Sequence, residues 1–281
     1  MEGRRIMKNV ITIAGSDCSG GAGIQADIKT MCAHGVFGMS AITALTVQNT
    51  QEVRAVMPVP ADIVQGQIEA VFDDIRVDAV KVGMVVNADI ARAVAETLLA
   101  REAGNIVVDP VMVSKSGGRL IDDNAVRETM RVAAVAKLIT PNMREAALLA
   151  GIPVHSHHEM ERAARVIQGQ GVANVLVKGG GSDTHADDFL LYGNEGVWLR
   201  CARVPTRNLH GAGCSLSSAI ACGLALGKDV GSAVEDAKKY ITQAIRDSFA
   251  PGKGGGPLGH LAEIYRKAGL EEAGTVDTED Q

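Results

Sequence analysis

Aromatic side chains are nearly absent from this chain: one Trp, three Tyr and four Phe in 281 residues. Its core must therefore be aliphatic, and a hydrophobic content of 46% supplies enough Val, Ile, Leu, Ala and Met for one. No apolar run approaches the roughly 18 residues that span a bilayer. The short run Val10 to Ala14, which follows a charged start, is too small for the apolar region of a secretory signal. There is no long basic run and the formal charge is −5, which argues against a general nucleic-acid or membrane-surface partner. The five cysteines, at 18, 32, 201, 214 and 222, are odd in number, irregular in spacing and without a CxxC pair. That pattern excludes a disulfide or zinc framework and reads as a reduced, cytoplasmic protein. No internal repeat and no shift in composition marks a domain boundary.

Apolar runs and helical patterns instead alternate along most of the chain. Strands are expected at 10–14, 40–47, 79–82, 106–109, 137–140 and 175–178. Helices are expected at 24–34, 62–72, 88–100, 126–135 and 160–168. Repeated strand–helix units with continuously apolar strands imply a mostly parallel sheet covered on both faces, joined by right-handed crossovers. Phe189–Tyr192 and Val197–Cys201, around Gly193-Asn194-Glu195-Gly196, read as an antiparallel hairpin. Ligands of such sheets bind at the C-terminal ends of the strands, and most of the notable glycines and polar residues follow strands.

Arg207 to Ser215, with Gly211, Ala212, Gly213 and Cys214 inside it, opens an amphipathic run from Leu216 to Leu226. A helix start offers unpaired N–H groups and a partial positive charge, and small residues let an anion reach them. The same field favours thiolate, so Cys214 is expected to have a lowered pKa. After the first strand, Gly15 to Gly23 forms a glycine-rich turn that lacks the Lys-Ser/Thr of a P-loop and fits a nicotinamide fingerprint poorly. Asp27, one turn into the next helix, is either a surface acid or a pocket group. Gln48, at the end of the second long strand, carries both donor and acceptor, suited to an aminopyrimidine edge or to a strand cap. Asp109 closes a strand where a magnesium ion could be held through water, and Ser114 to Gly118 after it suits a flap. Glu145 starts a helix, as a metal-side group or a dipole-favoured acid. Lys178 ends a strand, a place suited to contacting triphosphate oxygens. His155, His157 and His158 lack the partners of a metal site, and Met84 is a packing residue or the wall of an apolar slot.

In order, Ala14-Gly15-Ser16-Asp17 through Asp27, Ala44 to Thr50, Lys81-Val82-Gly83-Met84, Val108 to Met112, Thr140-Pro141-Asn142 with Glu145, Lys178-Gly179-Gly180 and His210 to Cys214 resemble the hydroxymethylpyrimidine/phosphomethylpyrimidine kinases of thiamine biosynthesis. The likeness runs from about residue 8 to 260. It implies a ribokinase-like three-layer α/β/α sandwich, with an N-terminal extension (1–7), one kinase domain (8–268) and an acidic disordered tail (269–281). It also implies a homodimer acting on a small pyrimidine, with ATP as co-substrate and Mg2+. By motif position, Gly15, Asp27, Gln48, Met84 and Val111 form the pyrimidine pocket. Cys214 stands where related sugar kinases carry an aspartate base, on a cradle of Gly211, Ala212 and Gly213. Asp109 and Glu145 organise magnesium, while Lys178, Asn142 and Asn208 lie on the nucleotide side. The family often has threonines where Leu209, Ala212 and Ser215 stand here. Alanine at 212 also resembles some pyridoxal kinases, so that activity is the near alternative; a non-catalytic pyrimidine- or nucleotide-binding protein is the distant one.

Overall fold

The structure is a computed structural model that describes residues 7–112, 123–180 and 185–270. The expected flap at Ser114–Gly118, the extension up to residue 6 and the tail from 271 lie outside these residues. Nine strands form one sheet: β1 (Asn9–Asp17), β2 (Phe37–Gln48), β3 (Val53–Pro58), β4 (Ala79–Val82), β5 (Ile106–Val108), β6 (Leu138–Ile139), β7 (Asn174–Lys178), β8 (Asp188–Tyr192) and β9 (Glu195–Leu199). Their order is β3-β2-β1-β4-β5-β6-β7-β8-β9. The central strands from β2 through β7 are parallel, and antiparallel strands close both edges.

Period-two alternation divides the core. Ile11, Ile13, Val80, Val82, Val108, Ile139, Val175 and Val177 point to one face, against α2 (Ala61–Asp74), α3 (Ala88–Ala100), α4 (Asp123–Ala134), α5 (Met143–Ala150) and α6 (His157–Gly169). The intervening Val10, Ala79, Val107, Leu138 and Leu176 point to the other face, against α1 (Gly23–Ala33), α7 (Ala212–Ala225) and α8 (Val230–Arg246). A short α9 (Ala262–Ala268) follows. This is the three-layer sandwich expected of the ribokinase-like fold. Among the described residues, no helix is long and apolar enough to cross a membrane.

Three local expectations differ from the structure. First, β1 runs past Ala14 to Asp17, so the turn begins within the strand's own pairing with Leu45 and Thr46 of β2. Second, β3 is an additional strand whose residues are all exposed, so no apolar alternation announces it. Third, α7 is buried on nearly every side, because it packs between the sheet and both α1 and α8. An amphipathic pattern belongs to a helix with one wet face, and α7 has none beyond its first turn.

Candidate active site

The strand parity that sorts the core also sorts the polar residues. Thr12, Lys81, Asp109, Thr140 and Lys178 share the parity of Val10, Ala79, Val107, Leu138 and Leu176, so they face α1 and α7 at the C-terminal half of the sheet. Lys81 and Asp27 are fully buried and paired at 2.8 Å. Thr12 Oγ1 and Ser218 Oγ also donate to Asp27, at 2.6 and 2.7 Å. Asp27 is therefore neither a surface acid nor an open pocket wall; it is a counter-ion under the site. Burial works against the Lys81 charge, but the carboxylates of Asp27 and Asp109 and the nearby Cys214 outweigh it and hold its pKa above the ordinary lysine value.

Asp109 sits one strand over. Its Oδ1 accepts from Lys178 Nζ at 2.6 Å and from Thr140 Oγ1 at 3.3 Å. Lys178 likewise stays charged, its burial offset by Asp109 and Glu145. Glu145 completes a capping box with Asn142: each accepts the other's backbone N–H, at 2.8 and 2.9 Å. Both readings of this residue thus meet in one side chain, because it caps α5 and also stands beside Asp109 and Lys178. Burial and the Asp109 charge push its carboxyl up to about 7, against the pull of Lys178. Val111 N–H donates to Asp109 O at 2.9 Å, so this residue is held at the strand end.

The start of α7 meets this pair directly. Gly211 caps the helix at φ +82°, and a Cβ there would lie 1.9 Å from Gly21 O. Only glycine fits, and with no side chain it offers no cap to the first amides. Ala212 N–H is engaged by Leu209 O at 3.3 Å, which narrows the expected cradle to Gly213 and Cys214. A Cβ on Gly213 would stand 3.3 Å from Lys178 Nζ and 3.6 Å from Asp109 Oδ2. The cradle, the lysine and the acid are therefore in contact range. The Gly23 backbone lies near enough to Cys214 to favour its thiolate, which places the first loop beside it. Its thiol, however, is pushed up by burial; Lys81 lowers it while Asp27 and Asp109 raise it further. The direction is thus opposite to the expected lowering: burial and the two carboxylates outweigh the pull of Lys81.

On the other side of Cys214, Gly15 lies under Met84: a Cβ on Gly15 would be 2.4 Å from Met84 Cε. Gln48 reaches His210 at 3.2 Å, and His210 reaches Asp17 at 2.8 Å. A cavity of about 330 Å³ opens beside the cradle, with Lys178, Asn142, Gly213, Leu216, Ile241 and Thr242 in its wall. Asn208 is not in that wall; its Oδ1 accepts from Gly256 N–H at 2.8 Å. Sequence reasoning assigned no role to Lys81, Thr140, Asp17 or His210. Lys81 had a readable signal: a lysine inside an otherwise apolar strand of matching parity.

An uncapped helix start, a buried lysine and paired carboxylates, all at the C-terminal ends of parallel strands, define an anion-handling site of the phosphoryl-transfer class. The sequence profile of the family described as phosphomethylpyrimidine kinase matches residues 17–259, and the chain belongs to that family. A hydroxymethylpyrimidine/phosphomethylpyrimidine kinase of Streptomyces coelicolor is 46% identical over 252 residues, covering 89% of this chain and 93% of that one. The solved phosphomethylpyrimidine kinase of Clostridium difficile superposes with a TM-score of 0.76 at 44% identity, covering 85% of this chain and 99% of that one. A Bacillus subtilis pyridoxal kinase solved with ADP superposes at 0.87 with 36% identity, covering 92% and 99%.

Proposed function

We propose that the chain transfers the γ-phosphoryl group of ATP to 4-amino-5-hydroxymethyl-2-methylpyrimidine and then to the resulting monophosphate, giving the diphosphate. The observation that carries this reading is the Lys178–Asp109 pair set against Gly213 at the start of α7 and opening into a cavity. On this reading the triphosphate lies along Lys178 with its nucleoside in the cavity. The alcohol lies across Gly15, Gln48, Met84 and Val111, above Asp27. Asn142 borders the phosphates, and Asn208 acts from behind, through its hold on Gly256.

In the first step the hydroxymethyl oxygen attacks the γ-phosphorus, the bond to the bridging oxygen breaks, and Cys214 Sγ takes the hydroxyl proton in its thiolate form, which burial disfavours and Lys81 supports. The amides of Gly213 and Cys214, with Gly211 and Ala212 shaping the turn, hold the charge of the transferring group. In the second step the nucleophile is an ionised phosphate and needs positioning without a base. Asp109 and Glu145 fit a magnesium ion bound mostly by water and phosphate, since no group of three or more ligating side chains occurs among the described residues. When bound, the ion would neutralise charge at the leaving side.

An assay of ATP consumption with the pyrimidine alcohol, its phosphate and pyridoxal decides the reading. Turnover of both pyrimidines above pyridoxal is expected. Pyridoxal as the better acceptor would move the chain to the second reading, which the superposition on the pyridoxal kinase favours. Binding without ATP consumption would leave only a binding protein.

The proposed state is a cytoplasmic homodimer. The cysteines are free, and the arm of β2 and β3 carries exposed Leu45, Val47, Val53, Val56 and Met57. An apolar surface of this kind suits a second copy of the same arm. Sedimentation should give a dimer, and the double variant Val47→Lys/Met57→Lys a monomer; a monomeric parent protein at micromolar concentration would end this proposal.

A further inference from the structure

Asp17 Oδ2 is crowded with donors. It accepts from Gly21 N–H at 3.1 Å, from Ala22 N–H at 2.9 Å and from His210 Nε2 at 2.8 Å, while Oδ1 takes both the N–H and hydroxyl of Ser19. Burial works to raise Asp17, but the hydrogen bonds from His210, Ser19 and Ala22 outweigh it and hold the carboxyl well below the usual carboxylate range. An ionised carboxylate only accepts, so His210 Nε2 carries a hydrogen whether the ring is neutral or charged. The amide nitrogen of Gln48 stands 3.2 Å from that same Nε2. Two donors cannot pair. Nε2 has a single hydrogen and Asp17 takes the shorter arm of it, so the Gln48 contact is favourable only as the longer arm of a three-centre bond, with the amide turned so that Oε1 faces His210; amide orientation is set by such networks.

We infer that Asp17 and His210 are positioning residues that fix the amide polarity of Gln48, and through it the choice of heterocycle. This rests on the reading of Gln48 as the group that meets the pyrimidine. With Oε1 held by His210, Nε2 is presented as a donor to an unprotonated ring nitrogen, and the second lone pair of Oε1 remains for an exocyclic amino group. The 4-oxo analogue inverts this pattern, with a ring N–H and a carbonyl oxygen in the same places. A Gln48 free to turn over accommodates both; one pinned by His210 accepts only the amino form. The dyad also sits between two loops that touch. A Cβ on Gly21 would lie 2.2 Å from His210 Cδ2, and His210 is the residue before Gly211. The reading of the ring and the placing of the phosphate cradle therefore share one side chain.

The experiment compares kcat/KM for the 4-amino alcohol and its 4-oxo analogue at fixed ATP. The parent enzyme should favour the amino form. His210→Leu should lower that preference roughly ten- to a hundredfold, mainly through KM, while His210→Gln, whose amide still donates to Asp17 and Gln48, keeps most of it. Gln48→Ala should abolish it. Equal losses on both alcohols in His210→Leu, with the preference intact, would make His210 a structural residue and overturn the inference. An unchanged preference in Gln48→Ala would remove Gln48 as reader, and the inference with it, while leaving the kinase activity standing. Should the variants fail to fold, 15N NMR of the parent protein decides: His210 must show a hydrogen on Nε2, and a bare Nε2 with the hydrogen on Nδ1 overturns the dyad.

Discussion

Replacing Cys214 with serine is expected to cut phosphorylation of the alcohol by about 10²–10⁴-fold, the usual worth of a positioned base, and to leave phosphorylation of the monophosphate close to its parent rate. The asymmetry follows from the nucleophiles. An alcohol must lose a proton as it attacks, whereas a phosphate arrives ionised. Cys214 lies within the field of Lys81 and Lys178, whose charges favour thiolate, while burial and the carboxylates of Asp27 and Asp109 oppose it. Steady-state rates with the two acceptors assayed separately give the comparison. Equal losses in both steps would take the proton-transfer role from Cys214 and leave it as a backbone donor of the cradle.

Lys81→Met is expected to cost about 3–5 kcal/mol of folding stability, because it strands the Asp27 carboxylate in a fully buried position. That is a large share of a typical total of about 5–15 kcal/mol. The hydroxyls of Thr12 and Ser218 remain on Asp27 but carry no charge to balance it. The double variant Lys81→Met/Asp27→Asn removes the stranded charge and should recover most of the loss. Urea denaturation of the parent, the single and the double variant measures both terms. A single variant within about 1 kcal/mol of the parent would mean that water reaches Asp27, contrary to the buried pair described here. Activity in the double variant should remain low for the alcohol, since Lys81 no longer supports the Cys214 thiolate.

Most of the frame was legible from local pattern. Continuous apolar strands alternating with helical spacing gave the parallel sheet, and the polar residues at strand ends marked where the site lies. Glycines at 15, 21 and 211 were visible as a signal, although the sequence cannot say that Gly211 is pressed against the Gly21 carbonyl. β3 was not legible, because an arm exposed on every residue has no buried face to impose a period. The burial of α7 was not legible either, since a helix covered on all sides loses the polar stripe by which a helix is recognised.

The chemistry divides in the same way. The sequence by itself determined the inventory and its faces: a lysine, two acids, a glutamine and a cysteine at strand and helix ends, with strand parity directing several of them to one side of the sheet. Backbone geometry makes that a local property. Only the tertiary structure decided their charges and partners. Asp27 was ambiguous until Lys81, 54 residues away, was found bonded to it. Gln48 met its side-chain partner in His210, 162 residues away. The helix start argued for a thiolate at Cys214, and burial between carboxylates reversed the direction. Desolvation and charge pairing depend on what the whole chain packs around a group, and no neighbour in sequence carries that information.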